Sequence, residues 1–461
     1  MLSNKSRMLI QSIKLHAARS SDQKLHKLLD KAHIADLGLI LGHLKKSDVL
    51  RVFTVLKKDL ERAAEVLTET ETELAVDILE HFDPKDISDL LQEMYSDDAA
   101  QILERFNEEL REQVLKAMDN LDQQEVEDRL VYDEETAGRI MVPDFFSLPP
   151  ETTVRDTIKA LQKGEDLEVI YYIYVTNDEG QLAGVASLRQ LLLVPPDKTL
   201  REIMEPDVIV VDAHADQEDV ARMVARYNLL AIPVVDEVGK MLGIVTVDDV
   251  LDIIKDEATE DMLKMAGAVG AEEKIVSGSV LGNVRIRWPW LLASWFGGLF
   301  AFYVTGQFHN ALSQLVILAQ FIPIVMGMGG NIGTQSSIIV VRGLATRLID
   351  SADIWKVILR ELRISLALGT LYGLLLGAVV FGLMETGLIV QPSVSALKLA
   401  VVIGLGVFSS MMAASIIGTL TPIVLDRVHI DPAIATGPMV TTSIDVFGIL
   451  VYFSIATWML L

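Results

Sequence analysis

The chain of 461 residues contains no cysteine, which excludes disulfide bridges, thiolate metal sites and a cysteine nucleophile. It also lacks a phosphate-binding glycine-rich loop or any comparable hydrolytic motif, so we do not expect an enzyme. Basic residues are scarce, with 40 Lys and Arg against 64 Asp and Glu and a formal net charge of −24. A basic surface for nucleic acid is therefore absent, and an acidic surface concentrates cations instead.

The charge is also unevenly distributed along the chain. Only seven of the acids and nine of the bases lie beyond residue 280. We therefore expect a strongly acidic soluble region followed by an almost uncharged membrane region. The N-terminal sequence MLSNKSRMLIQSIKLH mixes bases with apolar residues and has no continuous apolar core, so no signal peptide is predicted.

Residues 1–137 are dominated by apolar pairs that recur every twelve residues. These pairs are Val66–Leu67, Ile78–Leu79, Leu90–Leu91, Ile102–Leu103 and Val114–Leu115. One apolar stripe in each unit indicates short helices that bury their faces by stacking, which predicts a small helical solenoid. Acids cover its outer surface, where a solvated face is the simplest role, and Asp97 and Asp98 are predicted to cap a helix.

Residues 138–250 contain two copies of a small α/β unit. The sequence RIMVPD at 139–144 is echoed by EIMEPD at 202–207, and each copy reads strand, helix, strand, glycine turn, strand, helix. These motifs resemble a tandem pair of CBS domains. The resemblance implies a module that dimerises and binds an adenosine nucleotide between its copies, with Tyr172, Arg189 and Asp249 as candidate contacts. A purely structural dimer module is the alternative.

Residues 251–280 form a predicted acidic connector that leads into the membrane region. Its acids and the two before it recur mostly by threes and fours, which gives a helix one broad negative face. They are Asp248, Asp249, Asp252, Asp256, Glu257, Glu260 and Asp261. Like charges at these spacings destabilise a helix, so something must neutralise them. Solvent with Lys255 and Lys264 is one explanation, and divalent cations, which prefer carboxylate oxygens, are the other.

The region after residue 280 predicts five membrane spans. Residues 288–341 carry no formal charge, which is enough for two crossings of about 20 residues each. The spans are placed near 288–306, 312–341, 363–385, 398–425 and 432–460. Arg and Lys cluster before the first span, between the second and third, and between the fourth and fifth. This asymmetry predicts that the acidic domains are cytoplasmic.

Two intramembrane features point to an ion path. Asp445 is the only charged residue in 432–461, and a carboxylate at that depth needs a cavity, a partner or an ion. A buried structural Asp is the alternative. The second predicted span contains four glycines within residues 327–333, close to Asn331 and Gln335. This composition suits either irregular backbone around a cavity or close helix packing.

The order of these regions resembles one family, the MgtE magnesium channels and transporters. The segments that carry the resemblance are GMGGNIGTQS at 327–336 and GPMVTTSIDVFG at 437–448. The implied fold is multidomain: an all-α cytosolic superhelical arm (1–137), an α/β tandem CBS pair (138–250), an acidic connecting or plug helix with its link (251–280), and a five-helix α transmembrane domain (281–461).

The resemblance implies a homodimer in the bilayer with one pore lined by the second and fifth spans, and Asp445 as its main Mg²⁺ recognition group. The other implied pore-lining residues are Asn331, Thr334, Gln335, Gly437, Pro438 and Thr441. The implied cytosolic Mg²⁺-sensing acids are Asp97, Asp216, Glu218, Asp249, Asp252, Glu257, Glu260, Asp261 and Asp431. Gln101 and Asn228 stand where acids are expected, so part of this set departs from the family pattern.

The expected function is therefore a Mg²⁺-selective channel or transporter of the cell inner membrane. Cytosolic Mg²⁺ bound between the acidic elements would close it, and the CBS resemblance admits ATP as a regulatory ligand. Three alternatives remain open at this point. They are a proton-coupled divalent cation carrier, a nucleotide-sensing receptor that conducts nothing, and a CBS-regulated anion channel, which the acidic surface disfavours.

Overall fold

The computed structural model describes residues 4–18, 22–163, 170–268, 279–346, 349, 354–389 and 394–460. The chain forms two compact units, Met1–Lys255 and Asp256–Leu461. The boundary between them falls near the middle of one helix, Val247–Met265, so this helix contributes its first half to one unit and its second half to the other.

The first unit begins with ten helices that confirm the helical character predicted for the arm. They are α1 (Asn4–Ala18), α2 (Asp22–Leu29), α3 (Ile34–Gly42), α4 (Lys46–Leu56), α5 (Leu60–Thr68), α6 (Thr72–Leu79), α7 (Pro84–Leu91), α8 (Ser96–Arg105), α9 (Glu108–Ala117) and α10 (Asn120–Leu130). From α3 onward each helix packs on the helix two places further along, as a stacked repeat requires. The twelve-residue apolar pairs supply the shared core, where Leu67, Leu79, Leu91 and Leu103 are almost fully buried.

The predicted caps are partly different from those observed. The side chain of Asn107 accepts the backbone N–H of Leu110 and caps α9, as its position suggests. Tyr95 is the residue that precedes α8, and Asp97 and Asp98 lie in the first turn of that helix. The capping prediction for these two acids is therefore wrong, although a first-turn acid still interacts favourably with the helix dipole.

The two α/β copies have the predicted order and the same topology. After a short helix α11 (Ala137–Ile140), the first copy contains β1 (Ser147–Leu148), α12 (Val154–Leu161), β2 (Tyr172–Thr176), β3 (Leu182–Ser187) and α13 (Leu188–Leu193). The second contains α14 (Leu200–Ile203), β4 (Val211–Asp212), α15 (Gln217–Tyr227), β5 (Ala231–Val235), β6 (Met241–Thr246) and α16 (Val247–Met265). In each sheet the first two strands are parallel and the last two antiparallel.

The copies are joined by reciprocal strand contacts. Val142, which precedes the first sheet, bridges Ile244 on β6, and Glu205, which precedes the second sheet, bridges Val185 on β3. The hairpin turns match as well, since Gly180 and Gly239 adopt φ of +79° and +81°, a conformation that favours glycine. The pair is thus one interlocked module.

The second unit contains the long apolar helices expected of a membrane region. They are α17 (Val280–Gln307), the short α18 (His309–Gln314), α19 (Ile317–Ala345), α20 (Ile354–Glu385), α21 (Ala396–Arg427), a 3₁₀ helix (Pro432–Thr436) and α22 (Pro438–Leu460). Among the described residues, four helices are long and apolar enough to cross a bilayer: α19, α20, α21 and α22. The predicted link at 269–278 lies outside the described residues.

The first of the five predicted spans lies on α17, which is 28 residues long but is not among those four helices. Its sequence carries Trp288, Trp290 and Trp295, and such aromatic residues favour the membrane interface over the apolar centre. The structure therefore supports a bundle of several apolar helices, and the additional membrane span on α17 stays a proposal.

The glycine-rich segment of the second span is helical throughout. Helix α19 runs unbroken from Ile317 to Ala345 and includes Pro323. A Cβ atom on Gly418 of α21 would lie 2.1 Å from the backbone oxygen of Gly333 on α19. Of the two alternatives, the glycines therefore serve close helix packing, and the backbone of this segment is regular helix.

Candidate ion path and cytosolic acid groups

Asp445 lies in the second turn of α22 and is partly buried within its unit. Among the residues that the structure describes, its carboxylate has no hydrogen-bond or ion-pair partner. The neighbouring turns of α22 pack tightly: a Cβ on Gly297 of α17 would overlap Thr442, and one on Gly333 of α19 would overlap Ile444. Asp445 therefore lies, half-buried and without a described partner, on a helix long and apolar enough to cross a bilayer, where a carboxylate needs a cavity, a partner or an ion.

The segment that leads to Asp445 changes helix type at Gly437. The 3₁₀ helix ends at Thr436, Gly437 has an extended ψ of −149°, and α22 begins at Pro438. The hydroxyl of Thr441 donates to the backbone oxygens of Gly437 and Pro438, both at 3.3 Å. Three of the predicted pore-lining residues thus form one hydrogen-bonded turn, one helical turn before Asp445.

The two carboxamide residues of α19 lie on its exposed side. Asn331 and Gln335 are exposed on the single chain, one turn apart, and Thr334 is half-buried. Two carboxamides exposed on a helix of membrane length need water or a second protein surface, because lipid cannot satisfy their hydrogen bonds.

The first cytosolic group joins the arm to the α/β pair within the first unit. Asp97 and Asp98 of α8 lie within electrostatic range of Asp249 at the start of α16. Asp249 accepts a hydrogen bond of 2.6 Å from the hydroxyl of Thr246. Oδ1 of Asp97 is buried and has no partner among the described atoms. Two of the acids named from the resemblance, Asp97 and Asp249, are thus neighbours, and Asp98 is the third member of the group.

The electrostatics of this group are unfavourable when it holds no cation. Burial raises the pKa of Asp97 well above its usual value, and the charges of Asp98 and Asp249 add to this effect. Burial, followed by the charge of Asp249, raises the pKa of Asp98 to about 6. Burial also raises the pKa of Asp249, against the hydrogen bond from Thr246. The ionised form of this group is unfavourable because three carboxylates lie close together. A bound cation would therefore stabilise it.

Asp216 and Glu218 make local contacts instead. Asp216 caps α15, and its carboxylate accepts the backbone N–H of Glu218 at 2.8 Å. Glu218 lies 3.8 Å from Arg222 on the same helix. Asn228, where an acid was expected, ends α15 with a left-handed φ of +54°. Asparagine tolerates this conformation better than most residues, so the helix end explains its presence.

The second cytosolic group lies in the second unit, around the ammonium of Lys264 on α16. Its Nζ is 2.7 Å from Oε1 of Glu260 and 2.7 Å from Oδ2 of Asp431. Burial, and then the charge of Asp431, raises the pKa of Asp261 beside them. Asp431 also caps the 3₁₀ helix, since its Oδ1 accepts the N–H of Ala433 at 2.8 Å.

The remaining acids of α16 are not gathered with these. Asp252 is exposed and lies 4.0 Å from Lys255, and Glu257 is half-buried. Within the described ranges, no three His, Asp or Glu side chains are arranged as a finished metal site. Of the predicted sensing acids, Asp97 and Asp249 thus belong to the first group, and Glu260, Asp261 and Asp431 belong to the second.

The candidate nucleotide residues lie near one end of the first sheet. Tyr172 opens β2 and pairs in register with Ser187, two residues before the exposed Arg189 on α13. The Tyr172 hydroxyl accepts the backbone N–H of Leu230 from the second copy at 3.4 Å. Asp249 lies beside Asp97 in the first acidic group. A contact between Asp249 and a cation there would compete with the nucleotide contact suggested for the same side chain.

Sequence reasoning missed one buried acid of the membrane unit. Glu361 on α20 is 4% exposed, and its Oε2 accepts the hydroxyl of Ser336 on α19 at 2.9 Å. Ser336 is in turn 3.3 Å from the hydroxyl of Ser415 on α21. The spacing of Glu361 and Ser365, four residues apart on the buried face, was the available signal. This triad ties three membrane helices together.

Comparison with known proteins gives matches along most of the chain. Residues 322–455 match the MgtE family, described as a divalent cation transporter. Residues 32–135 match the MgtE intracellular N domain, and 137–197 and 200–256 each match the CBS domain.

Several curated relatives are similar over most of their own length. Magnesium transporter MgtE of Thermus thermophilus is 38% identical over 73% of this chain and 72% of the relative. The protein of the same name from Bacillus subtilis is 38% identical over 74% of each chain.

Two solved structures resemble the cytosolic region. The crystal structure of the soluble part of a magnesium transporter is 32% identical with a TM-score of 0.50, and covers 55% of this chain and 99% of its own. The cytosolic domain of the Mg²⁺ channel MgtE in complex with ATP is 34% identical with a TM-score of 0.50, over 53% of this chain and 99% of its own.

Proposed function

The chain belongs to the MgtE family and transports Mg²⁺, and from this premise we propose that Asp445 receives the ion within the membrane. The protein is a transporter and not an enzyme. The observation that carries the proposal is a half-buried carboxylate with no partner among the described residues, on a helix long and apolar enough to span a bilayer. Mg²⁺ releases its water reluctantly, so a carboxylate that accepts hydrogen bonds from a hydrated ion suits it.

We further propose that two copies of the chain form the path. Asn331 and Gln335 are exposed on α19, and a second copy would give these amides a polar, water-containing surface. Two symmetry-related Asp445 side chains would then face one hydrated ion. The turn at Gly437, Pro438 and Thr441 lies just before the carboxylate. Its hydroxyl and carbonyl groups would supply further oxygen atoms along the same segment.

The location and orientation of the transporter are also proposals. We propose five spans, with α17 as the first, in the plasma membrane. Arg285 and Arg287 at its start and the bases between the second and third spans favour a cytoplasmic location for the arm and the CBS pair.

ATP is proposed as a regulatory ligand of the CBS pair. The support is the relative whose cytosolic domain was crystallised with ATP, together with the position of Tyr172 beside the second copy. Arg189, exposed near the same end of the sheet, supplies a positive charge for a phosphate.

The transport proposal is tested by Mg²⁺ flux into vesicles that contain the purified full-length protein. Asp445→Ala is expected to lower the flux by more than about tenfold, since ~1.4 kcal/mol of lost ion stabilisation has that effect. Asp426→Asn, at the exposed end of α21, is the charge-matched control and should retain flux. Wild-type flux in Asp445→Ala would refute the role of this residue. Uptake driven by a pH gradient alone would instead favour a proton-coupled carrier.

Closure by cytosolic Mg²⁺ is the second part of the proposal. The groups at Asp97, Asp98 and Asp249 and at Glu260, Asp261 and Asp431 each hold several acids close together. Without a bound cation, repulsion in the first group opposes the packing of the helices that carry it, whereas Lys264 offsets part of the repulsion in the second group. Bound Mg²⁺ would remove this repulsion and favour the packed, closed state, because an ion shifts an equilibrium toward the state it binds better.

A further inference from the structure

Lys264 is placed as an internal cation in the second acidic group. Its ammonium is 2.7 Å from both Glu260 and Asp431, and its side chain is only 18% exposed. Glu260 lies one turn earlier on α16, whereas Asp431 lies far along the chain, just after α21. The lysine therefore joins two parts of the second unit and balances part of the negative charge of the group.

The contact holds the end of α16 against the segment that leads to Asp445. Asp431 caps the 3₁₀ helix that runs into Gly437 and Pro438. A Cβ on Gly267 would lie 3.3 Å from Cδ of Pro438, and Gly267 has a φ of +69° that favours glycine. The backbone of the connector thus lies directly on the turn at the start of α22, and the Lys264–Asp431 pair is the charged contact beside it.

We propose that Lys264 is a built-in substitute for a bound cation, which keeps the end of α16 docked on the 3₁₀ helix when Mg²⁺ is scarce. This proposal rests on the proposed closure by Mg²⁺ and specifies its regulation. Mg²⁺ and the ammonium neutralise the same carboxylates, so each can replace the other in holding the two segments together. The lysine would therefore set how much of the docking requires Mg²⁺.

The variant Lys264→Gln separates the contribution of the lysine from that of Mg²⁺, because it removes the positive charge and keeps a polar side chain of similar length. Lys255→Gln is the matched control, because Lys255 lies on the same helix with a side chain that is 72% exposed, 4.0 Å from Asp252. Lys264→Arg, which keeps the positive charge, should behave like wild type.

The measurement is hydrogen exchange of the full-length protein in residues 262–268 and 431–441, with and without Mg²⁺. In Mg²⁺-free solution Lys264→Gln should exchange roughly fivefold or more faster than wild type, at the lower end of typical coupling between sites. Saturating Mg²⁺ should restore wild-type exchange, because the ion takes the place of the lysine. Lys255→Gln should match wild type in both conditions.

Either of two results would overturn the proposal. Unchanged exchange without Mg²⁺ would mean that Lys264 does not hold the segments together, and fast exchange that persists with Mg²⁺ would mean that the ion cannot replace it. Failure of the proposed closure is a separate outcome, seen as wild-type flux that does not fall at high Mg²⁺. Even in that case, comparing the exchange of Lys264→Gln and Lys255→Gln without Mg²⁺ shows whether Lys264 holds the end of α16 on the 3₁₀ helix.

Discussion

Individual carboxylates of this chain differ chiefly in how their charge is balanced. Asp431 has a lysine at 2.7 Å and Asp216 caps a helix, so both are compensated. Asp98 lies beside two other acids, with no described cation within 4 Å, and Asp445 has no described partner. Compensated acids contribute to the fold, whereas uncompensated ones create a demand for a cation.

The group around Asp98 predicts a pH dependence of local stability. Its pKa is about 6 when folded, above the ordinary value of 3.8, so the folded state binds more protons than the unfolded state between these values. Stability therefore rises as the pH falls through about 6 and is lost as the pH rises. The Asp98→Asn variant has no carboxyl to ionise at this position, so it avoids the cost of burying that negative charge beside Asp249. Amides of α8 should then exchange about tenfold more slowly than wild type at pH 8 without Mg²⁺.

The difference between Asp98→Asn and wild type should shrink at pH 5, where the wild-type carboxyl is largely protonated. Glu179→Gln, an exposed acid in a hairpin turn, serves as the control and should show no such pattern. Equal exchange of α8 in Asp98→Asn and wild type at pH 8 would contradict the unfavourable electrostatics of the group.

The sequence identified some of these residues and missed others for physical reasons. Asp97 and Asp249 were named from the family resemblance, whereas Asp98 was predicted only as a helix cap. Its contact with Asp249 could not be seen in the sequence, because Asp249 lies about 150 residues further along the chain. Glu361 was counted as an acid just outside a predicted span. Its burial depends on Ser336 and Ser415 from two other helices, and a contact of that kind leaves no local pattern.

At the scale of elements, α19 illustrates how one composition serves two structures. Four glycines within residues 327–333 suit either irregular backbone or close packing, and local propensity does not distinguish them. The decisive feature is the partner helix, because α21 carries Gly418 opposite the Gly333 backbone. The strongly periodic helices of the arm were predictable because their apolar pairs repeat locally.

Gly418→Ala should destabilise the membrane unit. The added Cβ would lie 2.1 Å from the backbone oxygen of Gly333, so α19 and α21 must separate. Overpacking of this kind costs roughly 1–3 kcal/mol, which exceeds the ~1 kcal/mol that alanine gains over glycine in a helix. Gly382→Ala on α20 is the control, since its Cβ meets nothing within 4 Å. Thermal unfolding in detergent measures both, and equal midpoints would contradict the close packing.

For the whole molecule, the uneven charge separates an acidic region from an apolar region at residue 280, whereas the structure divides the chain about 25 residues earlier, at Lys255. That division falls within α16, which the sequence predicted as a connector. What the sequence could not supply is which acids meet, because the two groups are built from segments distant in the chain.

Removing the acids of α16 should therefore leave a transporter that fails to close at high Mg²⁺. The residues to be changed to amides are Asp249, Asp252, Asp256, Glu257, Glu260 and Asp261. Changing the ratio of closed to open states from 1:99 to 99:1 takes about 5.5 kcal/mol. Several weak ion sites can supply this energy together, and removing them would abolish closure. Flux at low Mg²⁺ should be unchanged, and vesicle flux at both concentrations is the measurement.

The control changes six exposed acids of the α/β pair to amides, which alters the net charge equally. These are Glu151, Asp178, Glu179, Asp197, Asp207 and Glu237. Normal closure in the control and lost closure in the α16 variant is the expected pair of results. Normal closure in both would remove the α16 acids from the sensing mechanism.

The reciprocal bridges between the two α/β copies have a consequence for how this chain acquires its structure. Val142 pairs with Ile244, and Glu205 with Val185, as isolated bridges apart from the pairings between named strands. Each three-stranded sheet lies within its own copy, so these bridges can form only after both copies have been synthesised. Because the first bridge joins residues roughly 100 positions apart, we expect the two copies to dock more slowly than the stacked helices of the arm form, since the contacts of the arm are local.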